Sequence, residues 1–338
     1  MSRSRIPATS MRAERRGWFA RAWGALRGRL FGIANDEARV ERRGFTVKTL
    51  DIAAHLEAIG FSFIDAYNDA ITASSLPPLI ARLEAVSPEW RGFAYEGAAM
   101  GLTIRDAVCP GPSLWRAYVE GPALLHHYIA FVERGWAFAR LPGKIGWHIR
   151  KLAGPLRWLV FDGYGFHQGF FDWPRTVDAC KPDHGLHGYA LRAFDQGLGR
   201  SLWFVRGMDA DAISDAISRF DATRHGDLWS GVGLAATYAG GIPPDALLDL
   251  AQASGAHLPS LVQGAVFAAE ARHRAGIVTR HTEVATRLLC AMSVADAAHI
   301  ALRAKPDETL PDPEGFHYEA WRRDIRQQFG PTHLHFSR

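Results

Sequence analysis

Phe161-Asp162-Gly163-Tyr164-Gly165-Phe166-His167-Gln168-Gly169-Phe170-Phe171-Asp172 packs aromatic rings, two acids and three glycines into twelve residues. No ordinary amphipathic helix or strand face has that composition. Its core, Gln168-Gly169 followed by large residues, has counterparts elsewhere: Tyr95-Glu96-Gly97, Glu133-Arg134-Gly135, Asp195-Gln196-Gly197, Trp229-Ser230-Gly231 and Val262-Gln263-Gly264. From Gly97 through Gly135, Gly169, Gly197 and Gly231 to Gly264 the steps are 38, 34, 28, 34 and 33 residues.

A period near 34 suits one helix pair per unit. Breaks such as Pro110-Gly111-Pro112, Leu141-Pro142-Gly143 and Ile242-Pro243-Pro244 fall between the copies, where antiparallel helices are joined. Glycine inside a helix costs roughly 1 kcal/mol against alanine, so its recurrence asks for close approach of neighbouring backbones. Small residues dominate and β-branched ones are few; Leu202-Trp203-Phe204-Val205 alone reads as a strand. The expected fold is all-α, a helical repeat of the tetratricopeptide-like or α/α-solenoid kind, with helix pairs of about 34 residues. A helix is expected over residues 50–71, with Leu56, Ile59, Phe63 and Ile64 on one face. The division is a basic extension over residues 1–33, one helical domain over 34–330 and a tail over 331–338.

Composition narrows the partners. Residues 1–30 hold eight arginines against Glu14, a balance of +7, whereas the whole chain carries +4, so the remainder is about −3. Nucleic acid is thereby excluded as the partner of the main body. Phe19, Trp23, Leu26 and Leu30 fall at helical spacing with arginines opposite, so residues 16–33 form a basic amphipathic helix that docks on its own protein, on a partner such as a synthase, or on a membrane surface. Arg21, Arg27 and Arg29 interrupt any signal-peptide core, and no run of 18 apolar residues is present. Cys109, Cys180 and Cys290 stand far apart, as reduced thiols do. The expected home is the cytoplasm, with the inner face of the membrane as a peripheral site.

GxGxxG, P-loop, HExxH, GxSxG and paired-cysteine zinc patterns are absent, which disfavours the common cofactor and hydrolase classes. No cofactor is specified. Eleven Trp and nineteen Phe supply either a large aromatic core or the lining of a cavity for a long apolar ligand. In a closed array, Glu96, Asp162, His167 and Asp195 converge on a cavity walled by Phe166, Phe170, Phe171, Trp203 and Trp229, with Tyr95, Tyr164 and Arg200 as further ligand contacts. A carboxylic acid there has a raised pKa and can protonate a polyene. The structural alternative pairs those acids with Arg91, Arg192, Arg200 and Arg224. A third possibility joins His184 and His187 to His167 and Asp162 around a metal ion, for oxidative chemistry.

Four blocks carry a resemblance: Arg91-Gly92-Phe93-Ala94-Tyr95-Glu96-Gly97-Ala98-Ala99-Met100; Asp162-Gly163-Tyr164-Gly165-Phe166-His167; residues 193–204, with Asp195-Gln196-Gly197-Leu198-Gly199-Arg200 at their centre; and Asp227-Leu228-Trp229-Ser230-Gly231-Val232-Gly233-Leu234-Ala235. Together they resemble a bacterial family of unknown function whose members lie in gene clusters for enediyne and related polyketide products. The resemblance spans residues 25–328. It implies a role in maturing or handling a polyene made by an iterative polyketide synthase, and it carries over no catalytic residue. The function it implies is binding, with possible cyclisation or isomerisation, of a long apolar intermediate; a non-catalytic scaffold is the alternative.

Overall fold

The computed structural model describes residues 22–330, apart from positions 110, 144, 151 and 182–184. Among these residues the secondary structure is helical, with no strand; Leu202–Val205 belong to a helix. The longer elements are α1 (Leu50–Thr72), α2 (Leu76–Ala85), α3 (Pro88–Val108), α4 (His127–Arg140), α5 (Arg157–Phe171), α6 (Tyr189–Val205), α7 (Ala210–Ser218), α8 (Ala222–Ala239), α9 (Pro244–Ser254), α10 (Leu258–Arg274), α11 (Arg280–Cys290), α12 (Val294–Ala304) and α13 (Phe316–Arg326).

Local chemistry sets their ends. Thr49, Asp209, Asp221, Thr279 and Ser293 cap α1, α7, α8, α11 and α12 by accepting a backbone N–H, and prolines open α2, α3, α9 and α10, where the missing N–H costs nothing. On α1 the buried face includes Leu56, Ile59, Phe63 and Ile64, the stripe that the spacing predicts.

α1 packs on α3, α3 on α4, α4 on α5, α5 on α6, α6 on α8, α8 on α10 and α10 on α12. Helices α7, α9 and α11 lie side by side as a second layer against α8 and α10. The row curls. Phe93 of α3 meets Tyr238 of α8, ring centroids 5.3 Å apart, and Arg274 of α10 stacks 4.0 Å over Tyr128 of α4.

Glycine makes the close packing possible. A Cβ at Gly163, Gly197, Gly231 or Gly264 would fall inside the backbone carbonyl oxygen of Val132, Asp162, Gln196 or Ser230 on the preceding helix of the row. A Cβ at Gly165, Gly199 or Gly233 would strike the carbonyl of Phe194, Leu228 or Leu261 on the following one. Backbones at that separation exchange weak Cα–H···O contacts that a side chain would prevent. In α5 the glycine equivalent to Gly197 is therefore Gly163; Gly169, the copy suggested by the tripeptide pattern, faces the Ser201 side chain instead.

Candidate functional site

Two voids run through the curled row. The first, a cavity of about 70 Å³, is walled by Phe63, Phe93, Trp136, Phe166, Phe170, Phe171 and Phe204, with Ile33, Val40 and Phe45 on one side. The second, about 60 Å³, is bounded by Tyr128, Val132, Asp162, Gln196, Phe267 and Trp321. Both are lined by Glu96, Arg200, Leu234 and Tyr238, so they meet at that waist.

The waist follows from the glycine register. The residue just before the close-contact glycine is Glu96 on α3, Asp162 on α5, Gln196 on α6, Ser230 on α8 and Gln263 on α10, and every one of them is buried. Arg200 sits one turn after Gln196 on the same helix face. Its Nη1 donates to Asp162 Oδ1 at 2.6 Å, and Gln196 Nε2 donates to Asp162 Oδ2 at 2.7 Å. Ser230 Oγ donates to Gln263 Oε1 at 2.8 Å, and Arg322 from α13 reaches the same oxygen at 3.1 Å. Arg272 donates to the Tyr238 carbonyl at 2.7 Å and stacks 4.0 Å over its ring, while the Tyr238 hydroxyl lies near Glu96 with no hydrogen-bond partner among the described residues.

Burial pushes the Glu96 carboxyl up to about 7 against the pull of Arg200 and Arg272. Glu133 on α4 is buried with neither carboxylate oxygen partnered; desolvation, reinforced by the Glu96 charge, drives it well above the usual carboxylate range. Three carboxyls, Glu96, Glu133 and Asp162, thus share an interior with two guanidiniums, Arg200 and Arg272. Neutrality asks one carboxyl to keep its proton. The folded protein holds the Glu96 proton more tightly than an unfolded chain does, so stability falls as pH rises from about 4.5 through about 7. Glu96→Gln will flatten that slope, leaving the parts that the raised Glu133 and Asp195 carboxyls add, and gain, at most, about 3 kcal/mol in denaturation at about pH 8. An unchanged slope would place the proton elsewhere.

Of the site residues expected from sequence, Glu96, Asp162 and Arg200 come together at the waist, and Phe166, Phe170 and Phe171 line the first void. Asp195 lies apart, buried in an ion pair with Arg224, whose Nε stands 2.8 Å from Oδ2. His167 packs on Trp136 and Phe171, centroids 5.5 and 4.7 Å away, and burial lowers it to about 3, leaving a neutral ring outside both voids. Trp203 donates to the Gly240 carbonyl at 3.1 Å, and Trp229 is buried in the same core. Tyr95 stacks on His126 at 4.1 Å in a separate core between α2 and α3, and Tyr164 borders an outer cleft with Trp158 and Tyr189. Among the described residues no group of three or more His, Cys, Asp or Glu is placed to hold a metal ion. His184 lies outside them, and the exposed His187 turns to the Gly185 carbonyl at 3.2 Å.

The motif reading missed Gln196, Tyr238, Arg272 and Glu133. Gln196 was within reach, since it precedes Gly197 as Glu96 precedes Gly97.

A family model described as "Protein of unknown function (DUF1702)" matches residues 22–329. The chain belongs to that family. No curated protein and no solved structure matches it. The DUF1702 match takes in every helix that reaches the waist, from α3 to α13. Among the described residues of this DUF1702 chain, no single helix is long and apolar enough to cross a membrane.

Proposed function

We propose that this protein serves enediyne-type or related polyketide biosynthesis, holding a long apolar polyene in the aromatic voids and moving protons on it at the waist. The row of helices is read as a solenoid of helix pairs curled around that lumen. The observation that carries the reading is the meeting of two apolar voids at one buried charged cluster. Apolar walls suit a polyene, and a carboxyl titrating near neutrality in a buried site suits acid–base work. The step is redox-neutral. Glu96 gives its proton to a terminal carbon of the polyene, a new C–C or C=C bond forms from the π electrons, and a carboxylate takes a proton from a neighbouring carbon. Glu133 supplies a second protonated acid within reach of the same charge cluster.

The test uses protein purified from its native producer, with denaturing mass spectrometry and an absorption spectrum. Structured polyene absorbance with a matching small mass is expected. Glu96→Gln will keep that ligand and lose roughly 10²- to 10⁴-fold in its conversion. Ligand-free protein that also fails to bind a fluorescent polyene acid would sink the reading. It would favour a non-catalytic scaffold.

A further inference from the structure

The helix over residues 22–31 docks by an edge that its apolar pattern does not suggest. Gly24, Gly28 and Gly32 turn toward the end of α1: a Cβ at Gly24 would stand 2.7 Å from the Thr72 carbonyl oxygen, and one at Gly28 would stand 3.1 Å from Thr72 Cγ2. Arg27, beside them, is buried. Its guanidinium donates to the carbonyls of Ile71, Thr72 and Ala73 at 2.8, 3.4 and 3.3 Å, where the negative end of the α1 dipole favours a cation.

That docking fixes the rotation of the helix. Trp23, Leu26 and Leu30 are left facing outward, 48%, 41% and 67% exposed, with Arg29 exposed beside them. Trp23 is held at one edge by its Nε1–H, which donates to Cys109 Sγ at 3.2 Å. Ile33, three residues beyond Leu30, is buried and lines the aromatic void.

We infer that this face rests on an anionic lipid surface. Three large side chains are far short of the roughly 20–30 residues a side of a stable protein interface. They are enough for shallow insertion when basic charge adds attraction: Arg29 is exposed on this helix, and the sequence of residues 1–21 holds six arginines against Glu14. Tryptophan on a short helix is at home at the headgroup level. The inference stands apart from the polyene reading: vesicle binding requires no ligand, and its failure leaves the lumen untouched.

Flotation of the full-length protein with vesicles of phosphatidylcholine alone, or of phosphatidylcholine with phosphatidylglycerol, is the test. Binding is expected to the anionic vesicles, weakened by salt. Leu26→Glu with Leu30→Glu, both outward and so without cost to folding by circular dichroism and Tm, should weaken it by about tenfold or more. No vesicle binding, equal binding to neutral vesicles, or a double variant that binds as the wild type does would each overturn the inference.

Discussion

Gly197→Ala will cost about 3 kcal/mol of stability, at the upper end of what overpacking does. The added carbon has nowhere to go. It would fall onto the Asp162 carbonyl oxygen, with the Phe166 amide nitrogen also close, and both belong to the backbone of α5 rather than to a side chain that can turn away. Relief requires α5 and α6 to separate, and those helices carry Asp162 and Arg200, so the waist between the voids moves with them. Gly226→Ala in α8 is the control. There the nearest atoms to a new Cβ are Ser260 Oγ at 3.4 Å and His257 Nδ1 at 3.9 Å. That variant gains about 0.5–1 kcal/mol, because alanine is simply the better helix residue. Urea titrations of the two variants beside the wild type read the contrast directly. Equal effects would mean that the close approach of the helices is not what glycine is there for.

Arg200→Met is expected to destabilise by about 3–5 kcal/mol, the usual result of taking one partner from a buried pair. Arg200 is buried against Asp162, and its guanidinium also stacks 4.6 Å over the Phe166 ring, a contact that methionine's apolar stem partly keeps. What methionine cannot replace is the charge. Without it Asp162 retains Gln196 alone, and Glu96 loses the stronger of the two guanidiniums that offset its burial. The loss should grow as pH rises, since more of the interior carboxyls would then ionise without compensation. Asp162→Asn added to Arg200→Met removes the stranded charge and should recover about half of the deficit. A double variant no more stable than Arg200→Met would show that the two residues are not energetically coupled.

The all-helical character was legible because glycine-rich, β-poor segments with proline breaks admit little else. Glu96 and Asp162 were legible as interior residues because acids beside glycine in aromatic surroundings are rarely surface residues. The misplacements have one physical source, helical phase. Successive residues on a helix point about 100° apart. Asp195 and Tyr95 therefore turn away from the directions taken by Gln196 and Glu96, one residue later, and a pattern in sequence does not say which of two neighbours faces the interior. The same limit shifted the glycine register in α5 from Gly163 to Gly169 and hid Glu133, which reads as an ordinary helical glutamate. In the N-terminal segment the Trp23, Leu26 and Leu30 stripe was plain, yet the Gly24, Gly28 and Gly32 edge decided the docking. Phe19 and the rest of residues 16–21 lie outside the described residues, as do residues 331–338.

The glycine contacts also determine where the chain can change length. Each one holds a helix at a single height and rotation against its neighbour, so one residue inserted inside α6 would turn everything beyond it by about 100° and slide it by about 1.5 Å. Gly199 would leave the Leu228 carbonyl, or Arg200 would leave the wall of the first void, depending on which side of the insertion each fell. Changes of length are consequently expected in the exposed connectors, such as residues 141–143 and 185–188. Those connectors are the places to graft a tag, a reporter or a second domain.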